Sequence, residues 1–130
     1  MNVLFIEDDA MNRRVVRDML DVAGAQMAEA DRAEAGLARI DAEDFDVILV
    51  DLRMPGIDGF ETIERIRSRH DAKRELPIIV VTADTVPDLT ERCKRLGADE
   101  VLFKPVAMDS LFDAIGRILA TRSGETGVLI

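Results

Sequence analysis

Tryptophan and tyrosine are absent from the 130 residues, and phenylalanine occurs five times. Any core built from this chain is therefore aliphatic. There is a single cysteine, Cys93. No disulfide framework can form, and a reducing cytoplasm is the natural setting. No apolar run approaches the roughly 20 residues of a membrane span. The opening Met1-Asn-Val-Leu-Phe-Ile-Glu7 has too short an apolar run and no basic flank for a signal peptide. Positive charge is also scarce: 17 Lys and Arg stand against 26 Asp and Glu, a net charge of −9. Without a basic field to neutralise phosphates, neither direct DNA binding nor an anionic membrane surface is expected. Divalent cations and partners with a basic surface remain compatible. Linkers, low-complexity tracts and internal repeats are missing too.

What is present is apolar. Hydrophobic residues make up 48% of the chain, enough for one domain with one core and too many for a disordered chain. The most informative stretch is Asp46-Val-Ile-Leu-Val-Asp51-Leu-Arg-Met-Pro-Gly-Ile-Asp-Gly59. Val47 to Val50 is unbroken, largely β-branched and bounded by acids, as in a strand buried on both faces of a parallel sheet. Asp51 ends it. Met54-Pro-Gly-Ile-Asp-Gly59 is dense in turn formers and forbids an immediate helix.

Val3–Ile6 is a second buried strand, ending in Glu7-Asp8-Asp9. Met11, Val15, Met19 and Val22 then repeat at helical spacing, with Asp9 as the helix cap, and Gly24 stops the helix. The interleaved Arg13, Arg14 and Arg17 read as a solvated face or part of a docking surface. Gln26–Ala30 is a weak strand suited to an edge. Ala35, Leu37, Ala38 and Ile40 mark a short helix; Phe60, Ile63 and Ile66 mark another. Leu76-Pro77-Ile-Ile-Val-Val-Thr82 is a strand behind a proline. A helix follows Pro87, with Leu89, Cys93 and Leu96 inward and Gly97 ending it. Val101–Phe103 is a short strand, followed by Lys104-Pro105. Leu111, Ile115, Ile118 and Leu119 mark the last helix, and residues 122–130 form a tail. His70 reads as a solvent-facing loop residue. Strict alternation of strand and helix predicts a single-domain α/β fold with a parallel sheet.

Four strand ends carry polar residues: Glu7 and Asp8, Asp51, Thr82, and Lys104. A parallel sheet brings all four to one edge, where open α/β sheets bind ligands. Carboxylates gathered there repel unless a cation intervenes, and Mg²⁺ with its oxygen ligands is the fitting one. Carboxylate, Mg²⁺, Lys and Thr together make an electrostatic cradle for a transferring phosphoryl group, and an Asp can itself be the nucleophile.

With these pieces in order, residues 1–121 resemble a receiver domain of two-component response regulators. The resemblance rests on Val3-Leu-Phe-Ile-Glu-Asp-Asp9, Val47 to Gly59, Val80-Val-Thr-Ala83, Gly97-Ala98 and Lys104-Pro105. It implies a five-stranded, flavodoxin-like sheet of order 2-1-3-4-5 with helices on both faces. It implies that Asp51 is the phosphoryl acceptor, with a phosphohistidine donor on a histidine kinase or histidine phosphotransfer protein. Glu7, Asp8, Asp51 and the backbone carbonyl of Arg53 would then hold Mg²⁺. Thr82 would be the switch hydroxyl, Ala83 the small residue beside it, and Lys104 the cation that pairs with the phosphoryl group. The Lys104–Pro105 peptide bond would be cis.

Val101 departs from the family pattern, which places an aromatic residue or histidine three residues before the lysine. A β-branched side chain is stiff at χ1 and cannot swing a ring inward. The resemblance further implies a phosphoacceptor with no catalytic turnover, monomeric or weakly dimeric, that switches contacts with a downstream protein. Passing the group onward in a phosphorelay, or being a receiver cut from a hybrid kinase, are the alternatives. A hydrolase of the acid phosphatase type would need a second Asp where this chain has Arg53.

Overall fold

The computed structural model describes residues 1–125. Strands β1 (Asn2–Ile6), β2 (Gln26–Ala30), β3 (Val47–Val50), β4 (Ile78–Thr82) and β5 (Glu100–Phe103) alternate with helices. The helices are α1 (Ala10–Val22), α2 (Ala33–Ala42), α3 (Gly59–Arg67), α4 (Leu89–Leu96) and α5 (Met108–Glu125). A 3₁₀ turn at Ala72–Glu75 leads into β4. The strands form one sheet of order β2-β1-β3-β4-β5. Every neighbouring pair is parallel. The expected flavodoxin-like order is therefore present, and the weak strand Gln26–Ala30 does lie at an edge.

The period-two alternation of a strand explains why the central strands are apolar throughout. Leu4, Ile6, Ile48, Val50, Ile78 and Val80 pack with Ile40 of α2, Ile63 and Ile66 of α3, and Leu89 and Cys93 of α4. Val3, Phe5, Val47, Leu49, Ile79 and Val81 turn to the other side, against Val16 and Leu20 of α1 and Leu111, Ile115 and Ile118 of α5. Both faces of β3 are covered, so no polar residue interrupts it.

Two helix faces differ from expectation. On α1 the buried pair is Val16 and Leu20, four residues apart, while Met11, Val15 and Val22 are exposed and Met19 sits at the margin. Apolar residues occupy two neighbouring stripes of this helix, and the sheet takes the second. On α5 Leu119 is exposed and Ala114 is buried in its stead, giving the stripe Leu111, Ala114, Ile115 and Ile118. That helix also runs to Glu125, so the expected tail begins inside it. Residues 126–130 of the tail lie outside the described residues.

The joints are tied by specific bonds. Asp9 caps α1 by accepting the Met11 amide at 2.8 Å, and Asp58 caps α3 by accepting the Glu61 amide at 2.9 Å. Gly97 ends α4 at φ 117°, a conformation that favours glycine. Its carbonyl accepts two bonds from the guanidinium of Arg67, at 3.0 and 2.7 Å. The same Arg67 also donates to the carbonyls of Arg74 and Leu76, at 2.6 and 2.8 Å. One side chain at the end of α3 thereby holds the segments that lead into β4 and β5.

Gly59 is required for space. A Cβ there would lie 2.4 Å from the Asp51 carbonyl oxygen and 2.6 Å from Leu52 Cα. Both are backbone atoms and cannot rotate away. Gly116, in α5, has nothing within 4 Å of such a Cβ. Gly59→Ala is expected to destabilise the domain by about 1–3 kcal/mol or more. Gly116→Ala is expected to stabilise it by about 0.5–1 kcal/mol. Urea unfolding midpoints of the two variants, moving in opposite directions, check this.

Candidate functional site

The C-terminal ends of β1, β3, β4 and β5 meet at one edge of the sheet. Ile6 and Val50 are register partners, so the residues that follow them, Glu7 and Asp51, emerge side by side. The ladder continues one step further: the Asp51 amide donates to the Ile6 carbonyl at 3.0 Å. On the other side Thr82 pairs with Phe103, and the Lys104 amide donates to the Thr82 carbonyl at 2.8 Å. Backbone hydrogen bonding thus fixes where these side chains start.

The side chains converge. Lys104 Nζ lies 2.6 Å from Glu7 Oε1 and 3.6 Å from Asp51 Oδ2. Glu7 is wholly buried, Asp51 is 3% exposed and Thr82 is wholly buried. Asp8, one residue beyond Glu7, is exposed, yet carboxylate oxygens of Glu7, Asp8 and Asp51 all lie within 4.8 Å of one another. Burial pushes the Glu7 carboxyl up to about 7; the Lys104 contact opposes this and the neighbouring Asp51 adds to it. For Lys104, burial favours the neutral amine, but Glu7 and Asp51 outweigh it and hold its pKa above the ordinary lysine value. The cluster is short of positive charge: one lysine faces three carboxylates. Clustered hard oxygen donors with such a deficit fit Mg²⁺.

The mouth of the site is charged as well. The Arg53 amide approaches Asp51 Oδ1 at 3.4 Å, so the loop after β3 folds back over the carboxylate. The Arg53 guanidinium pairs with Asp84, its Nε 2.9 Å from Oδ2. This bond is the main reason that the Asp84 carboxyl is held below the ordinary range. The Asp84 amide in turn donates to Thr82 Oγ1 at 3.0 Å. Because that oxygen accepts from the backbone, its own proton is left to donate elsewhere. Ala83 is exposed between them. Lys104–Pro105 is cis, as expected. Val101 is half-buried, two residues along β5 from Phe103, and packs against the core under α4.

Of the residues expected to form the site, only Val101 lies away from this edge, one layer below it. Asp9 is the expected cap, Cys93 is buried in the core and His70 is exposed. Of the three arginines on α1, Arg14 is exposed and Arg17 partly so, as a solvated face requires, while Arg13 is largely covered; Arg13 and Arg17 both pair with Glu29 of β2. Nothing in linear sequence pairs positions 13 and 29; parallel packing of β2 beside β1 does.

Known proteins are similar to this chain in sequence and in fold. The chain is 36% identical over 115 residues to the virulence sensor protein BvgS of Bordetella bronchiseptica, across 85% of this chain and 9% of that protein. It spans between 9% and 25% of the length of eight curated relatives it matches. The solved structure of chemotaxis protein CheY4 of Vibrio cholerae is 30% identical, with a TM-score of 0.82 over 90% of this chain and 97% of that one. The receiver domain of a Pseudomonas aeruginosa PAO1 sensor histidine kinase is 28% identical, with a TM-score of 0.80 over 89% of this chain and 94% of that one. That structure has a magnesium ion coordinated in its active site cleft. The family model described as response regulator receiver domain matches residues 3–116, somewhat inside the expected 1–121. With five parallel strands in the family's order and the acid-lysine-threonine edge in place, this chain belongs to the response regulator receiver domain family.

Proposed function

We propose that Asp51 is the acceptor of this receiver, taking a phosphoryl group from a phosphohistidine on a histidine kinase or histidine phosphotransfer protein. The observation that carries the reading is the meeting of Asp51, Glu7, Asp8 and Lys104 at one strand edge, with Lys104 Nζ 2.6 Å from Glu7 and 3.6 Å from Asp51.

An Asp51 carboxylate oxygen attacks phosphorus. The bond from phosphorus to the donor imidazole nitrogen breaks, and its electron pair stays on the imidazole, which takes up a proton. Glu7, Asp8, Asp51 and the Arg53 backbone carbonyl would hold Mg²⁺. The ion supplies positive charge that offsets both the carboxylates and the phosphoryl oxygens. Lys104 already spans Glu7 and Asp51, so its ammonium can follow negative charge from carboxylate to phosphoryl oxygen. Thr82 donates its remaining hydroxyl proton to a second phosphoryl oxygen, and Ala83 leaves that approach open. Asp51 is consumed as acceptor and regenerated by loss of the group, so the chain signals by occupancy, without catalytic turnover on a separate substrate.

The acyl phosphate then shifts an inactive–active equilibrium that a partner protein reads on α4, β5 and α5. Val86 and Phe103 are exposed on this side of the molecule. Val101 is too stiff to act as a swinging ring, so the backbone after Thr82 and before Lys104 carries the change. No helix among the described residues is long and apolar enough to cross a membrane. We place the domain in the cytoplasm, where its phosphodonors are found, as a monomer or weak dimer. A phosphorelay intermediate is the second reading, favoured by relatives that include sensor proteins as well as regulators. Transfer back to a histidine protein would separate it from a terminal effector.

Two outcomes are expected. Incubated with acetyl phosphate and Mg²⁺, the wild type gains a single phosphoryl group by intact mass, chelation abolishes the gain, and Asp51→Asn gains none. Incorporation into Asp51→Asn, or none into a wild type that also ignores beryllofluoride, removes Asp51 as acceptor. Secondly, Thr82→Ala slows phosphorylation by about 10²-fold, whereas Thr82→Ser, which keeps the donor, stays near wild type. Single-turnover rates at saturating Mg²⁺ measure this.

A further inference from the structure

Arg13 lies one turn into α1 and reaches back to the acidic turn that the site depends on. Its Nη1 donates to the backbone carbonyl of Glu7 at 2.7 Å. Its Nε donates to Glu29 Oε1 on β2 at 2.7 Å. The other Glu29 oxygen is taken by Arg17. The Arg13 side chain is only 16% exposed. The bond to Arg13 is the main reason that the Glu29 carboxyl is held below its ordinary range. The Glu7 amide donates to the Ala30 carbonyl at 2.9 Å. So the Glu7 peptide groups are anchored on both sides, by β2 backbone at the amide and by Arg13 at the carbonyl.

We propose that Arg13, locked in place by Glu29, is a positioning residue for cation binding: it fixes the Glu7-Asp8 turn so that both carboxylates face Asp51. The inference rests on the Mg²⁺ reading given above. The guanidinium suits the task because it has two donors set at a fixed angle, one for a carbonyl and one for a carboxylate. Glu29 does two things. It orients the fork, and it neutralises a positive charge that would otherwise be free to swing onto Asp8 and compete with the metal. Arg17 holds the far oxygen of Glu29 and makes no side-chain hydrogen bond or ion pair to the Glu7-Asp8 turn among the described residues. It supports the network without setting the turn.

Without Arg13 the Glu7 carbonyl loses its side-chain partner and the peptide that joins Glu7 to Asp8 is free to reorient. The two carboxylates then spend less time aimed at a common point. A cation would bind more weakly, while the chemistry at Asp51 would be unchanged once the cation is in place. Supporting groups of this kind alter metal affinity by roughly 10- to 100-fold.

The test is a Mg²⁺ titration of the unphosphorylated full chain, followed by amide NMR, with unfolding measured on each variant. Arg13→Ala is expected to raise the Mg²⁺ dissociation constant on the order of tenfold, and to speed hydrogen exchange at the Asp8 and Asp9 amides without metal. Arg13→Lys, with no fork, is expected to recover only part of that loss. Arg17→Ala is expected to be less stable yet to bind Mg²⁺ as the wild type does. Phosphorylation of Arg13→Ala at saturating Mg²⁺ is expected to match the wild type. If Arg13→Ala folds and binds Mg²⁺ with wild-type affinity, or if Arg17→Ala weakens binding equally, the positioning role is overturned while the Mg²⁺ site stands. If the wild type itself shows no Mg²⁺ shifts at the acidic edge, the metal reading and this role fall together.

Discussion

A shortage of positive charge at one edge of the sheet governs this structure. Glu7 is wholly removed from water, with Lys104 Nζ 2.6 Å away, and the same lysine reaches Asp51 at 3.6 Å. Breaking a buried ion pair by deleting one partner costs about 3–5 kcal/mol, so Lys104 cannot be spared for stability alone. Yet it does not settle the charge, because Asp8 and Asp51 crowd the same few ångströms. Burial above all, with Asp51 adding to it against the Lys104 contact, pushes the Glu7 carboxyl up to about 7. A site in this condition has little preference of its own and responds strongly to what is added. A cation would relieve the shortage, and under the proposed function a phosphoryl group would compete with the carboxylates for the lysine.

The rest of the fold keeps that tension from relaxing. Carboxylates free to move would separate; here each begins at a strand end whose backbone is already hydrogen-bonded. Asp51 is held by the Ile6 carbonyl behind it, and by a loop that closes in front of it where the Gly59 amide donates to the Leu52 carbonyl at 3.0 Å. Closure is that tight because Gly59 has no side chain. Asp58 then starts α3 at once, so the loop has no slack at its far end. At the other end of α3, Arg67 gathers the approaches to β4 and β5. Rigidity is concentrated where the polar groups are brought together, as preorganised electrostatics requires.

Much of this was legible in the sequence, for reasons that differ by residue. Val47 to Val50 announced a strand buried on both faces because a parallel sheet covered by helices admits no polar residue there. Glu7, Asp51, Thr82 and Lys104 stood out because each breaks the apolar run of its strand at the same end. Parallel topology turns that one-dimensional regularity into proximity. The phase of α1 was not legible: Met11, Val15, Met19 and Val22 are as apolar as Val16 and Leu20. Only contact with Val3 and Phe5 decides which stripe is buried. The reach of α5 to Glu125 was hidden for a related reason, since Gly and Ser in Arg122-Ser-Gly-Glu125 weaken a helix without ending it. The network of Arg13, Glu29 and Arg17 was invisible because ion pairs between elements leave no periodic trace.

The way Thr82 is bonded limits how a change at the site can travel. Its carbonyl accepts the Lys104 amide at 2.8 Å, and its hydroxyl oxygen accepts the Asp84 amide at 3.0 Å. Thr82 cannot shift toward a ligand without moving both the backbone ahead of Lys104 and the segment that leads to α4. Asp84 is also tied to Arg53 of the loop after β3, whose amide approaches Asp51, so that segment is linked to Asp51 through Arg53. A ring at position 101 would add a side-chain route. Val101 offers only a short branched group already packed on the core beneath α4. Under the proposed function a displacement would therefore travel through main chain more than through a side-chain rotamer. β5, at the edge with one neighbour, is the strand that can follow Thr82 without disturbing another.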